Sequence, residues 1–180
     1  MRDPDIPFRQ FDFIRDSHSL ALLNPTGVCR VLVLEWLSAR GAIGAAGFSR
    51  GGGRQSTSRR LARSMGTVGV SRGDAINDYG LHSIAKSPRA VVTDSSSWEF
   101  LSQGDSMYYI KIMDDADGHA IGAVSINGRY RLFDPNKGVW ECSNGVDLVN
   151  TMRLLAREYL LSDRMSEIEI ERIGAPLWQA

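Results

Sequence analysis

Beyond Met107 the apolar and polar positions of this chain fall largely into a period of two, and ahead of it they do not. Met107-Tyr108-Tyr109-Ile110-Lys111-Ile112-Met113 reads as a strand, ended by the polar turn Asp114 to Gly118. His119 to Ile126 and Arg129 to Asp134 read as two more. The Asn127-Gly128 pair between them is a strong hairpin signal, because a two-residue type I′ turn needs positive φ at both positions. Glu167-Ile168-Glu169-Ile170-Glu171 alternates cleanly and predicts a last strand with one exposed face. Leu148, Met152, Leu155 and Tyr159 instead recur at helical spacing, predicting a helix over 146–161 capped by Ser143 and Asn144.

The front of the chain is patterned differently. Arg30 to Arg40 carries apolar residues on every side, so it predicts a helix buried all round. Pro25, Thr26 and Gly27 are start signals, and Gly41 is a stop. Residues 1–23 read as an irregular lead-in pinned by Phe8, Phe11, Phe13 and Ile14. Residues 41–73 are rich in Gly, Ser and Arg and predict a mobile loop, with a helical turn near Arg59 to Met65. Helical spacing continues over Asp74 to Ala85, and Thr93 to Ser97 forms a capping run for a short helix at Trp98 to Leu101. The expectation is one α+β domain over residues 1–180. Helices lie in front, an antiparallel sheet of about four strands behind, and one helix returns onto the sheet.

Composition narrows the function. The 180 residues carry 21 basic and 21 acidic side chains, so no overall field points to nucleic acid or an anionic membrane. Charge is uneven locally: no acidic residue falls between Glu35 and Asp74, where seven arginines do. That basic segment is a candidate docking surface for an acidic partner. No apolar run is long enough to span a membrane, so no stable membrane insertion is expected. The N-terminus lacks the apolar core of a classical signal peptide, so any export would use another route. Cys29 and Cys142 are too few for a disulfide scaffold and read as reduced. Neither thiol has zinc spacing with His18 or His82, and Met113 stands where a calcium loop needs its first ligand. No metal or cofactor is expected, and nothing sets an oligomeric state.

Cys29 falls in the first helical turn, where free backbone N–H groups and the helix dipole favour a thiolate. Taken alone it reads more readily as a buried structural thiol. The hairpin supplies what it lacks. With Asn127-Gly128 as the turn, opposed residues sum to 255, so His119 faces Asn136 and Asp134 lies two residues away on the same face. Such diagonal pairs sit roughly 7–8 Å apart, within reach of long side chains. Cys29 as nucleophile, His119 as base and Asp134 as orienter of the ring form the arrangement an activated thiol requires. The backbone N–H of Cys29 and the side-chain amide of Asn24 are the candidate oxyanion-hole donors.

Asn24-Pro25-Thr26-Gly27-Val28-Cys29 leading to Trp36, then Gly118-His119-Ala120, then Leu132-Phe133-Asp134-Pro135-Asn136-Lys137-Gly138, resembles the YopT/AvrPphB family of papain-like cysteine peptidases. The resemblance runs in order over residues 24–140 and leaves 41–105 unmatched; its Cys–His interval of 90 is short for the family. It implies a papain-like fold, a Cys29/His119/Asp134 triad with Asn24 in the oxyanion hole, and a bacterial effector or toxin delivered into a host cell. It also implies a host signalling protein as substrate, such as a small GTPase or a kinase. The expected function is therefore a thiol endopeptidase. A glutamine deamidase or transglutaminase would use the same triad, and an inert interaction module would keep the fold without the chemistry.

Overall fold

The hairpin at Asn127-Gly128 is the seed of the sheet. In the computed structural model, which describes residues 1–15, 29–41, 76–101, 104–115 and 118–174, both turn residues have positive φ, 52° and 70°. Strands β5 (Gly118–Ile126) and β6 (Arg129–Asp134) pair in the expected register, from Ile126 opposite Arg129 to Gly122 opposite Phe133. Strand β4 (Ser106–Met113) lies antiparallel on the other side of β5, with Ile112 opposite His119. Strand β8 (Glu167–Gly174) follows beyond β4.

The sheet is wider than the four strands expected; it has eight among the described residues. Its order is β1-β7-β6-β5-β4-β8-β2, with β3 also pairing β8, and every pairing is antiparallel. The four additional strands are short: β1 (Ile6–Pro7), β2 (His82–Lys86), β3 (Ala90–Val91) and β7 (Gly138–Cys142). Strand β7 escapes the alternation rule because four of its five residues are buried. Strand β2 escapes it for the opposite reason, being an edge with four of five residues exposed. It also corrects the helix expected to run to Ala85. Helical backbone ends at Asn77, and Gly80, at φ 66°, turns the chain into β2.

Alternation sends the sheet's side chains into two cores. On one face, Met107, Tyr109, Ala120, Val124 and Phe133 pack against helix α2 (Cys29–Ser38). On the other, Tyr108, Ile110, Ile121, Leu132, Trp140, Ile168 and Ile170 pack with helices α3 (Ser95–Leu101) and α4 (Gly145–Asp163). Helix α2 is buried all round, from Val31 to Leu37. Asn144 caps α4 by accepting from the Asp147 N–H at 2.9 Å, while Asp147 accepts from the Ser143 N–H at 2.8 Å. The predicted stripe Leu148, Met152, Leu155 and Tyr159 is buried.

The N-terminal residues do more than lie on the surface. Ile6 and Pro7 pair with Val139 and Gly138, the Phe8 N–H donates to the Lys137 carbonyl, and helix α1 (Gln10–Arg15) follows. Gly138 permits this approach: at φ 144° it has no Cβ, and one placed there would lie 2.2 Å from the Ile6 carbonyl oxygen. The segment 41–73, read from sequence as a loop, lies outside the described residues except for Gly41. No helix among the described residues is long and apolar enough to cross a membrane.

Candidate active site

Cys29 is the first residue of α2, a helix pressed onto β5 through its most conspicuous small residue. A Cβ on Gly122 would lie 2.9 Å from the Trp36 ring and 3.3 Å from Val33. The glycine thus lets the helix that bears the thiol settle close to the strand that bears His119. His119 stands one residue into β5, and Asp134 is the last residue of β6. Both side chains leave the sheet toward α4.

The aspartate is completely buried and the histidine is 5% exposed. Their contact runs from His119 Nε2 to Asp134 Oδ1 at 2.8 Å. With Nε2 so engaged, the other ring nitrogen, Nδ1, is left for the thiol, and the ring does hydrogen-bond Cys29. The structure therefore brings the thiol at the helix start together with the two side chains that the hairpin arithmetic selected. Asn24 lies outside the described residues.

Burial works against a thiolate at Cys29, but it is outweighed. The hydrogen bond and charge of His119, with the backbone N–H groups of Ala120 and Arg30, hold the thiol below its ordinary value. Burial likewise disfavours the imidazolium. The charge and hydrogen bond of Asp134, followed by those of Cys29, override it and push His119 up to about 10. Each shift favours the charged form, thiolate at Cys29 and imidazolium at His119. Cys142 behaves oppositely: burial pushes its thiol up, and its sulfur meets the Thr151 hydroxyl at 3.9 Å. Of the two thiols, Cys29 is the one whose ionised form is favoured.

A cleft of about 430 Å³ opens onto the sulfur. Its walls include Cys29, His119, Arg30, Arg89, Lys111 and Asp115. A larger cavity, about 710 Å³, lies beside Arg2, Arg9, Asn136 and Tyr159. It touches neither Cys29 nor His119, whereas the smaller cleft is lined by both. No group of side chains among the described residues would hold a metal ion.

Two residues with no predicted role adjoin the aspartate. The Tyr159 hydroxyl donates to Asp134 Oδ2 at 2.9 Å, and its ring lies 4.8 Å from that of His119 at an interplanar angle of 31°. The Asn136 backbone N–H donates to Asp134 Oδ1 at 2.8 Å. The register placed Asn136 opposite His119 but gave no hint of this bond. Tyr159 read as one more apolar position on α4.

No protein-family model matches the sequence, and no curated protein does. Solved structures do. The chain superposes on the Pseudomonas avirulence protein AvrPphB with a TM-score of 0.66, over 85% of this chain and 94% of that one, at 16% identity. The chain has a papain-like cysteine peptidase fold. A cysteine protease-like domain of the Photorhabdus asymbiotica toxin PaTox matches more loosely, with a TM-score of 0.44 and 13% identity over 79% of this chain and 47% of that one. At 16% identity the likeness to AvrPphB is one of fold, and the chemistry must be argued from the side chains themselves.

Proposed function

We propose that this protein is a thiol endopeptidase that cleaves a peptide bond in a host protein, with Cys29 as nucleophile, His119 as general acid and base, and Asp134 as orienter. One observation carries the reading: a thiol favoured as its thiolate shares a histidine with a fully buried carboxylate 2.8 Å from the opposite ring nitrogen. A structural cysteine needs no such relay.

The Cys29 thiolate attacks the substrate carbonyl carbon, forming an S–C bond and an oxyanion. The backbone N–H of Cys29 and the Asn24 side chain stabilise that charge in the proposal. As the tetrahedral adduct collapses, the C–N bond breaks and His119 gives its proton to the departing amine. The thioester is then attacked by water, whose proton returns to His119, and the C–S bond breaks to release the acid. Asp134 keeps its negative charge throughout and holds Nε2–H, so the other nitrogen always faces the sulfur. Delivery into a host cell, with a signalling protein there as substrate, is proposed by analogy with the avirulence protein AvrPphB.

The test is incubation with host-cell lysate, followed by mapping of protein N-termini and of one-dalton mass shifts. New N-termini made by wild type and absent with His119→Ala are the expected result. Mass shifts without cleavage would replace the peptidase by a glutamine deamidase. Neither change would leave the binding module.

A further inference from the structure

The carboxylate of Asp134 has no access to water, so each of its oxygens needs a donor from the protein. Oδ1 has two, His119 Nε2 and the Asn136 backbone N–H, both at 2.8 Å. Oδ2 has the Tyr159 hydroxyl at 2.9 Å, and no other donor among the described residues is seen there. Without that hydroxyl, Oδ2 is a buried acceptor with nothing to bind. The carboxylate must then rotate, take up a proton, or draw harder on the histidine.

The direction of the Tyr159 bond is set by its neighbours. The Asn136 side-chain amide donates to the Tyr159 oxygen at 3.1 Å, so the single hydroxyl proton is free to point only at Asp134. The amide is itself oriented, because Asn136 Oδ1 accepts from Gln10 Nε2 at 2.6 Å. Gln10 is anchored in turn by its backbone N–H, which donates to the Pro135 carbonyl at 2.6 Å. Every donor in the sequence Gln10, Asn136, Tyr159, Asp134 thus points the same way, toward the carboxylate. Burial, then the charge of Asp134, push Tyr159 upward, which keeps it a neutral donor. Its ring also covers one face of the imidazole.

We infer that Tyr159 is a positioning residue for the thiol chemistry, locking the Asp134 carboxylate in the one orientation that presents Oδ1 to His119, with Asn136 fixing the direction of the tyrosine proton. The inference rests on the thiol-peptidase reading of Cys29 and adds a fourth and a fifth residue to it. Neither touches the substrate cleft, so their effect reaches the sulfur only through Asp134 and His119.

The experiment uses iodoacetamide as probe, which needs no knowledge of the substrate. Alkylation of Cys29 is followed by peptide mass at mildly acidic pH, alongside the His119 Nε2–H proton resonance and the melting temperature. Tyr159→Phe keeps the ring and removes only the hydroxyl. It should slow Cys29 alkylation by about tenfold, the scale of losing one hydrogen bond to a buried charge, and shift or broaden the Nε2–H resonance. Asn136→Ala, at an exposed position, should give a smaller loss in the same direction. Alkylation within about twofold of wild type with the resonance unmoved would overturn the proposal. If Tyr159→Phe does not fold, Asn136→Ala decides on the same criterion. A wild-type Cys29 no faster than a free thiol would overturn the peptidase reading and this inference together. A fast wild type with an equally fast Tyr159→Phe would overturn the inference alone.

Discussion

At the scale of single residues, the two opposed shifts of Cys29 and His119 define a pH window. The thiolate is gained as pH rises through the lowered value of Cys29. The imidazolium, which must protonate the leaving amine, is lost as pH rises through about 10. The rate should therefore rise to a plateau at lower pH than the titration of an ordinary thiol and fall again near pH 10, as a bell-shaped kcat/KM profile would show. His119→Ala removes the side-chain hydrogen bond and the charge that favour the thiolate and leaves burial, which opposes it, so the rise in the alkylation profile should move to higher pH. Asp134→Asn leaves a hydrogen-bonding group in place but removes the charge that holds His119 up. Its descending limb should move to lower pH. A limb unmoved by Asp134→Asn would mean that Cys29, not the carboxylate, holds the histidine up.

The elements carry these residues into register, and they differ in how openly the sequence declares them. The Asn127-Gly128 turn was readable because its geometry demands those residue types, and from it the diagonal placement of His119 and Asp134 followed by counting. The long helix α4 was readable from its stripe. Strands β2 and β7 were not: one is mostly exposed and the other mostly buried, so neither alternates. Tyr159 was hidden by success elsewhere, since packing alone already explains an aromatic at its place on the stripe. Asn136 was visible as the residue opposite His119 and within the Leu132 to Gly138 motif, but neither reading assigned it the Tyr159 contact. Gly122 is the clearest test at this scale. Gly122→Ala sets a methyl against Trp36 and Val33, so α2 must lift from β5. Overpacking of this kind costs about 1–3 kcal/mol, which thermal or urea unfolding will measure. The accompanying slowing of Cys29 alkylation should exceed that of a core substitution of equal cost placed on the α4 face.

Across the whole molecule, the site is built from the ends of a helix and two strands that the fold draws together. The thiol comes from α2 on one face, while histidine and aspartate come from strands whose side chains turn toward α4 on the other. Residues 2–10 close over β7 beside them. The Arg2 guanidinium donates to the Glu141 carbonyl at 2.5 Å, the Glu141 N–H donates to Asp5 at 2.7 Å, and the Phe8 ring packs edge-on against Phe133 at 5.8 Å. Gln10 completes the strap by reaching Asn136. Deleting residues 1–9 should lower the melting temperature and also slow Cys29, whereas a strap that merely covers the edge would lower the first and spare the second.

Central to all of this is the claim that Cys29, and not Cys142, is a thiol ionised by a histidine and aimed at a carbonyl. The most direct measurement is covalent labelling by a thiol-directed epoxide inhibitor of cysteine peptidases, read by intact mass on wild type, Cys29→Ala and Cys142→Ala. Wild type and Cys142→Ala should each take up one equivalent rapidly, and Cys29→Ala should take up none. Equal labelling of wild type and Cys29→Ala would contradict the account.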